Sequence, residues 1–207
     1  MKIFKTLVFG LLTLFFLSFS QTDAQAHAPD LHTGISGNEV SALQSKLNKL
    51  GYFTANPTGY YGSVTKNAVI RFQRDFGIPA TGFTGPMTRG ELKEVEMLAR
   101  TVYGEARGES YTGQVAVAAV VLNRVSSSKF PNSTYNVIFQ RNAFTAVSDG
   151  QYRLNPNSTA YKAARAAMLG SDPSGGATYY YNPAGVTDSW IFSRPVIKKI
   201  GKHYFAN

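Results

Sequence analysis

The chain has 207 residues, a formal net charge of +9 and no cysteine. That length accommodates one large domain or two small ones. Without cysteine, disulfides, thiol nucleophiles and thiolate metal sites are excluded together, so stability has to come from apolar cores. The basic residues are scattered rather than gathered in a dense run, which indicates a generally basic surface and argues against nucleic acid as a partner.

The N-terminus has the charge, core and cleavage layout of a secretory signal peptide. Lys2 and Lys5 precede an apolar run over 7–19, and Ala24 to Ala26 form a small-x-small cleavage site. The run is shorter than the roughly 20 residues that span a bilayer. We therefore expect residues 1–26 to be a signal peptide and the mature protein to be secreted, with no stable membrane span.

An imperfect internal repeat follows a polar linker, which we predict over 27–34. Each copy has the pattern of an amphipathic helix with an apolar-Gln pair, ends at a glycine and is followed by a Gly-x-x-Thr turn. The threonines or their neighbours are expected to cap the next helix. The repeated positions are Val40, Leu43, Gln44 and Leu47 in the first copy, and Val69, Phe72, Gln73 and Phe76 in the second. Three short helices predict a small bundle over 35–92.

This segment resembles the peptidoglycan-binding domain found beside many wall hydrolases. The resemblance rests on Val40-x-x-Leu43-Gln44-x-x-Leu47, Gly51-Tyr52-Phe53, Gly59-Tyr60-Tyr61-Gly62-x-x-Thr65, Ala68-Val69-x-x-Phe72-Gln73 and Gly82-x-x-Gly85-x-x-Thr88. Thr58 departs from the family pattern, which usually has an aspartate there. The resemblance implies that the bundle binds peptidoglycan. Most of its aromatic residues are expected in the core, and the loop residues Tyr60, Tyr61 and Phe83 are expected to contact sugar or peptide.

The segment 93–207 is predicted to form a second domain, with helices first and a small antiparallel sheet last. Helical patterns cover 88–109, 113–125 and 158–169, and β-rich runs cover 178–182 and 200–205. The second of these helices is apolar on nearly every side, which predicts a buried central helix capped by Thr112. The fold class predicted for the chain is therefore α+β.

A glutamate lies on the apolar side of the first of these helices. The apolar residues that recur at helical spacing are Val95, Leu98, Ala99, Val102 and Ala106. Glu105 falls on or beside this buried stripe, near the point where Gly104 and Gly108 weaken the helix. A carboxyl group in such a place can act as an acid near neutral pH. Buried paired acids also occur for structural reasons, so the pattern alone leaves both roles open.

Elimination strengthens the case for carboxylate chemistry. His203 is the only histidine of the second domain, which is a poor supply for a zinc site and leaves a Ser-His-Asp triad without a nucleophile-elbow motif. No Gly-rich phosphate loop or dinucleotide fingerprint is present. We therefore expect neither a metal nor a cofactor. Glu105 is the best acid by position, and Glu109 and Asp149 are the runners-up.

From about Leu98 onward the sequence resembles the catalytic domain of the spore cortex-lytic enzyme and related cell-wall hydrolases. The matching stretches are Tyr103-Gly104-Glu105-Ala106-Arg107-Gly108-Glu109, the central helix from Gly113 to Val125, Phe144-x-x-Val147-x-Asp149-Gly150, Tyr179-Tyr180-Tyr181-Asn182-Pro183 and Ile200-Gly201-Lys202-His203. The resemblance implies a small lysozyme-like fold. It also implies that Glu105, the first glutamate of the Gly-Glu-Ala stretch, is the catalytic residue.

These observations predict cleavage of the peptidoglycan glycan strand between N-acetylmuramic acid and N-acetylglucosamine. Hydrolysis usually needs a pair of carboxyl groups, so the lack of an obvious second acid favours a lytic transglycosylase that leaves 1,6-anhydro ends. A hydrolase of the muramidase or glucosaminidase type is the alternative, and a non-catalytic wall-binding protein is the alternative from another class. Residues expected to line the glycan cleft are Gln114, Asn123, Phe144, Tyr180 and Asn182, although core or turn packing explains any one of them equally well.

We expect a monomer that acts on peptidoglycan in the cell wall or the spore cortex. The sequence leaves open whether the substrate is cortex or wall in general, which protein partner regulates the enzyme, and how the two domains are oriented.

Overall fold

The structure is a computed structural model that describes residues 30–186 and 189–207. The predicted signal peptide, residues 1–26, lies outside the described residues. The part described is α+β, as predicted, and none of its helices is both long and apolar enough to cross a membrane. Its elements are α1 Asn38–Leu50, α2 Ser63–Asp75, α3 Pro86–Ala106, α4 Tyr111–Ser126, α5 Thr134–Ile138, α6 Thr145–Ser148, α7 Ser158–Met168, β1 Tyr179–Tyr181, β2 Val196–Ile200 and β3 His203–Ala206, with 3-10 turns at Gln151–Arg153 and Ser189–Ser193.

The internal repeat of the N-terminal bundle is built on two buried glutamines. The Gln44 amide nitrogen donates to the Tyr60 carbonyl and to Thr65 Oγ1, both at 2.8 Å. Gln73 repeats the arrangement, donating to the Phe83 carbonyl at 2.8 Å and to Thr88 Oγ1 at 2.9 Å. Each glutamine therefore ties its helix to the loop and helix that follow, through hydrogen bonds shielded from water.

The threonines of the Gly-x-x-Thr turns do not cap helices, so that prediction was wrong. The N-cap positions of α2 and α3 are Gly62 and Gly85, and neither helix has a side-chain cap. Thr65 and Thr88 lie one turn inside their helices and are buried. Their hydroxyl groups accept hydrogen bonds from the glutamine amides. The threonine in each copy is therefore the partner of the glutamine before it.

The segment predicted as a linker contacts the bundle over its described part. Leu31 is buried and forms an antiparallel bridge with Thr84, with hydrogen bonds of 2.8 and 3.4 Å between their backbones. Ser36 forms a second bridge with Tyr60. The chain is thus attached to both loops of the repeat before α1 begins.

One continuous helix, α3, joins the bundle to the C-terminal part. It begins at Pro86 in the bundle and ends at Ala106, so the division predicted between residues 92 and 93 falls inside it. Helix α7 also packs on α1. The Arg165 guanidinium donates to the Leu50 carbonyl at 2.7 Å and lies 5.0 Å from the Tyr52 ring centroid.

Helix α4 is the central element of the C-terminal part, as predicted. It packs against both α3 and α7, and almost every residue from Gly113 to Val121 is buried. Alanine at several of these positions lets the neighbouring helices approach closely. Ser110, and not Thr112, caps the helix by accepting a hydrogen bond from the Gly113 backbone N–H at 3.2 Å.

The C-terminal sheet has the strand order β1-β3-β2 and is antiparallel. The two predicted β-rich runs correspond to β1 and β3, which pair as expected. Strand β2 was not predicted, because four of its five residues are exposed and its sequence lacks an alternating apolar pattern. Gly201 closes the β2–β3 turn at a φ of +59°, a conformation that favours glycine.

Candidate active site

Glu105 lies in the last turn of α3, and three hydrogen-bond donors converge on its carboxylate. Thr145 Oγ1 donates at 3.0 Å to Oε1 and lies 3.2 Å from Oε2. The Ala146 backbone N–H donates to Oε1 at 2.6 Å, and the Tyr180 hydroxyl donates to Oε2 at 3.0 Å. The donors come from the start of α6 and from β1, so the orientation of this side chain depends on segments far apart in sequence.

Gly104 allows α6 to approach α3 closely enough to reach the glutamate. A Cβ atom added at Gly104 would lie 2.4 Å from the Ala146 Cβ, which is far inside van der Waals contact. The Ala146 backbone can therefore sit over the end of α3 only if residue 104 lacks a side chain. The sequence suggested that Gly104 weakens the helix. In the structure, Gly104 is the position at which α6 contacts α3.

Tyr180 places a permanent donor beside the carboxylate. Burial raises the pKa of Tyr180 well above its ordinary value, and the nearby charge of Glu105 and the hydrogen bond to it act in the same direction. The phenol therefore stays protonated at all physiological pH values. Its ring packs against His203 and Phe205, with centroid separations of 5.2 and 6.1 Å.

Arg124, on the central helix, is a buried cation next to this site and was missed by sequence reasoning. Its side chain is 7% exposed, and its Nε donates to the Thr178 carbonyl at 2.7 Å. The guanidinium lies 5.0 Å from the Phe144 ring centroid and 5.3 Å from that of Phe130. Burial lowers the pKa of Arg124, and the negative charge of Glu105 opposes that effect. The sequence feature that could have identified this residue is a single arginine on an otherwise apolar helix.

Two of the five predicted cleft residues lie close to Glu105. Tyr180 contacts it directly, and the buried Phe144 precedes α6 with its ring centroid 6.4 Å from that of Tyr180. Between Arg124 and Tyr180, Phe144 forms part of the wall that supports the site.

The other three predicted cleft residues make structural contacts. Gln114 is buried at the start of α4, where its amide donates to the Glu109 carbonyl at 3.1 Å. Asn123 donates to the Asp172 carboxylate and the Ala177 carbonyl, both at 3.0 Å, and so holds the loop after α7. Asn182 accepts from the Ala184 backbone in a turn at 3.1 Å.

The runner-up acids are engaged elsewhere. Glu109 Oε2 accepts from the Lys202 backbone N–H at 3.1 Å and packs on Gly201, which ties the end of α3 to the β2–β3 turn. Asp149 accepts from the Gln151 backbone at 2.9 Å, and this hydrogen bond, with a second from the Gln151 side chain, lowers the pKa of Asp149. Backbone donors of their own surroundings therefore hold both carboxylates.

His203 lies behind Tyr180 and away from any catalytic partner. Its side chain is 8% exposed and its Nδ1 is buried without a hydrogen-bond partner. Burial lowers the pKa of His203, opposed by the charges of Glu109 and Glu105. Across residues 30–186 and 189–207, no three His, Cys, Asp or Glu side chains are grouped so that they could hold a metal ion.

A groove beside Tyr180 provides room for a ligand. It has a volume of about 390 Å³ and is walled by aromatic and basic side chains. The residues that line it include Arg124, Phe130, Arg141, Tyr179, Tyr180 and Trp190. We refer to it below as the Tyr180 groove. Aromatic walls with a few convergent polar groups are typical of carbohydrate and small-molecule sites.

Of the three aromatic residues of the bundle that were predicted to contact a ligand, two have exposed rings and one has a buried ring. Tyr60 is 53% exposed and Phe83 is 38% exposed, at equivalent places in the two repeats. Tyr61 is fully buried, and its hydroxyl donates to the Gly82 carbonyl at 2.9 Å. Tyr61 is therefore a core residue. The alternation of side chains along the loop turns its ring inward, and the prediction that it contacts a ligand was wrong.

Comparison with known proteins agrees with this architecture and defines its class. Residues 108–206 match the family model described as Cell Wall Hydrolase, and residues 36–92 match a peptidoglycan binding domain. Glu105 lies just before the first of these ranges. The protein thus combines a domain of the cell-wall hydrolase family with an N-terminal peptidoglycan-binding module.

Similarity over most of the chain then identifies the family. A spore cortex-lytic enzyme of Bacillus cereus is 40% identical over 84% of this chain and 85% of its own length. The catalytic domain of SleB from B. cereus is 58% identical, with a TM-score of 0.53, over 55% of this chain and 89% of that one. The catalytic domain of the germination-specific lytic transglycosylase SleB from Bacillus anthracis is 59% identical, also with a TM-score of 0.53. That match covers 55% of this chain and 93% of the B. anthracis chain. The chain belongs to the spore cortex-lytic enzyme family.

Proposed function

We propose that this protein is a lytic transglycosylase that cleaves peptidoglycan between N-acetylmuramic acid and N-acetylglucosamine, with Glu105 as its acid and base. The observation that carries the proposal is a single carboxylate held by three donors, one of which, Tyr180, also lines a groove of aromatic and basic residues. The B. anthracis relative, described as a lytic transglycosylase, supports the reaction type.

In the first step the Glu105 carboxylic acid gives its proton to the glycosidic oxygen. The bond between that oxygen and the muramoyl C1 breaks, and the N-acetylglucosamine side leaves with a free 4-hydroxyl group. Positive charge develops at C1 and its ring oxygen. The Glu105 carboxylate formed in this step is the negative group that faces this charge.

In the second step the same carboxylate removes the proton from the muramoyl 6-hydroxyl group. The 6-oxygen then bonds to C1, which closes the 1,6-anhydro ring and returns Glu105 to its acid form. No water is consumed, and one carboxyl group serves both steps. Thr145, Ala146 and Tyr180 hold the carboxylate in one orientation throughout, which is the positioning that such a two-step role requires.

The positions of the other acids support transglycosylation over hydrolysis. Glycan hydrolases usually present two carboxyl groups to the scissile bond, one on each side. Glu109 is held by the β2–β3 turn and Asp149 by its own loop, so neither is placed as the second group. A muramidase or glucosaminidase is therefore the weaker candidate.

The bundle is proposed to hold the enzyme on its polymer, with Tyr60 and Phe83 as the aromatic contacts. Each ring lies against the glycine two residues further on, so a Cβ added at Gly62 or Gly85 would meet it at 3.2 or 2.9 Å. We assign binding to residues 35–92 and catalysis to residues 93–207. We further propose that the protein is exported after removal of residues 1–26, works as a monomer in the wall or cortex, and is controlled by a protein partner.

Mutation of the glutamate tests this assignment. We expect Glu105→Gln to reduce release of soluble muropeptides from purified peptidoglycan by at least about 1,000-fold, because the amide can neither give nor take the proton. The matched control is Glu94→Gln, about three turns earlier on the same helix, which should retain full activity. Equal melting temperatures would show that both variants fold. Near-normal turnover by Glu105→Gln would refute the role of this residue.

The mass of the products separates the remaining alternatives. Transglycosylation gives 1,6-anhydromuramoyl ends, whereas hydrolysis adds one water and gives reducing ends. Digests of cortex and of vegetative wall should both be measured by mass spectrometry, since the preferred substrate follows from the same data. Reducing ends alone would indicate a hydrolase. Binding to walls with no release of muropeptides by the wild-type protein would indicate a non-catalytic binding protein.

A further inference from the structure

A second groove adjoins the Tyr180 groove at the start of β1. It has a volume of about 570 Å³. Phe130 and Tyr179 line both grooves, with their ring centroids 5.9 Å apart, so this aromatic pair forms the ridge between them. Lys129 and Arg194 line the second groove, which we call the basic groove. Glu105 lines neither groove, and Tyr180 of the Tyr180 groove is the residue that contacts it.

The basic groove holds two cations, Lys129 and Arg194, that form no ion pair within the part of the chain that the structure describes. The Arg194 guanidinium instead stacks on two rings, 4.1 Å from the Trp190 centroid and 5.0 Å from that of Tyr179. Its Nε is buried without a hydrogen-bond partner. The ring contacts thus hold the arginine in place, and its planar guanidinium can present N–H donors to a ligand in the groove.

Polar groups complete the lining. Ser126 and Ser127, at the end of α4, contribute hydroxyl groups to the same surface, whereas the hydroxyl of Thr178 already donates to Asn207 Oδ1 at 2.9 Å. An arginine fork, an ammonium group and nearby hydroxyls form a donor set that suits a carboxylate ligand. Such a set would be poorly matched to a neutral sugar ring, for which the aromatic Tyr180 groove is better suited.

We propose that the basic groove binds a free carboxylate of the peptide attached to a muramic acid near the cleavage site. This inference rests on the proposed function, because only a peptidoglycan strand in the Tyr180 groove would place that peptide here. The strand carries its peptides on the lactyl groups of muramic acid, and those peptides end in or bear carboxylates. The groove therefore contributes recognition of the peptide, separate from cleavage of the glycan.

The test compares two substrates with the full-length protein. One is peptide-bearing glycan, and the other is the same glycan after an amidase has removed the peptides. Lys129→Gln combined with Arg194→Gln should lower kcat/KM on the peptide-bearing strand about tenfold, as expected for the loss of charge-assisted hydrogen bonds. On the stripped strand the double variant and the wild type should have the same kcat/KM. The kcat/KM of the wild type should itself be lower on the stripped strand than on the peptide-bearing strand.

Control variants separate charge from folding. Lys198→Gln, on exposed strand β2 and outside the groove, removes one positive charge and should change neither rate. Lys129→Gln alone leaves the arginine stacking intact and should show part of the loss even if the double variant is unstable. Equal activity of the variants and the wild type on peptide-bearing strands would overturn the subsite. An equal loss on both substrates would also overturn it, whereas a wild-type protein inactive on both would instead refute the proposed function.

Discussion

At the scale of single residues, the candidate site depends on a buried tyrosine that stays neutral and a buried arginine that stays charged. Tyr180 is held in its neutral form, so its hydroxyl keeps the proton that it donates to the Glu105 carboxylate. Arg124 remains a cation despite burial because the ordinary arginine pKa is far above neutral. Its stacking among Phe130, Phe144 and Tyr179 replaces part of the lost hydration.

His203 gives a pH dependence whose sign follows from its burial. Because the pKa of His203 is lowered in the folded state, the unfolded chain takes up a proton more readily as the pH falls through 6.5. The free energy of unfolding should therefore be unaffected by this group above that pH and should decrease below it. Chemical denaturation at pH 7.5 and pH 5.5 measures the decrease, and His203→Phe should reduce it. An identical decrease in both proteins would contradict this prediction.

At the scale of elements, the site is made where short α6 crosses the end of α3. The contact between Gly104 and Ala146 brings a backbone N–H and the Thr145 hydroxyl to Glu105. Helix α6 has only four residues and makes no extensive core of its own, so its position depends on this close approach. Buried Phe144, directly before it, supplies the main apolar anchor.

Substitution of the glycine should damage activity more than stability. Gly104→Ala gains about 1 kcal/mol of helix propensity but introduces overpacking that costs about 1–3 kcal/mol. The net change in the free energy of unfolding should be small and unfavourable, while displacement of α6 lowers the rate of muropeptide release at least about tenfold.

Two further variants make this prediction specific. Adding Ala146→Gly to Gly104→Ala removes the clashing methyl group, since the Ala146 Cα lies 3.6 Å from the added Cβ, and should restore much of the activity. Gly108→Ala, whose added Cβ has no neighbour within 4 Å, should leave activity unchanged. Full activity of Gly104→Ala would show that the close approach is not required.

At the scale of the whole molecule, one apolar core connects the binding bundle to the catalytic part. Leu47 of α1, Leu98 of α3, Val121 of α4 and Tyr161 of α7 belong to the same buried cluster. Helix α3 passes through both parts without interruption. The described residues therefore form a continuous structure and not two modules on a flexible linker, which gives the exposed rings of the bundle a defined position relative to Glu105.

This continuity predicts a single thermal transition for the mature protein. Arg165→Ala, which removes the contact of α7 with Leu50 and Tyr52, should cost about 1–2 kcal/mol and shift that single transition down by roughly 2–8 °C. Differential scanning calorimetry provides the measurement. Two separate transitions in the wild-type protein, or a shift confined to one of them in the variant, would show that the parts unfold independently.

Much of the fold could be predicted from sequence because its signals are local. Helical periodicity located α1, α2, α3 and α7, and the repeat of glutamine and threonine indicated the bundle. Strand β2 was missed because an exposed edge strand has no apolar alternation, and it forms only through pairing with β3. Tyr60 and Tyr61 are adjacent and chemically alike, so only the path of the loop decided which ring is buried.

For the site, the sequence by itself determined the chemistry that remained available. The absence of cysteine, the single histidine of the C-terminal part and the position of Glu105 on an apolar stripe are properties of composition and periodicity. Only the tertiary structure decided what surrounds that glutamate. Thr145, Ala146 and Tyr180 donate hydrogen bonds to it from segments distant in the chain, and Arg124 acts on it through its charge. Such relations depend on how helices and strands pack, which no local pattern encodes.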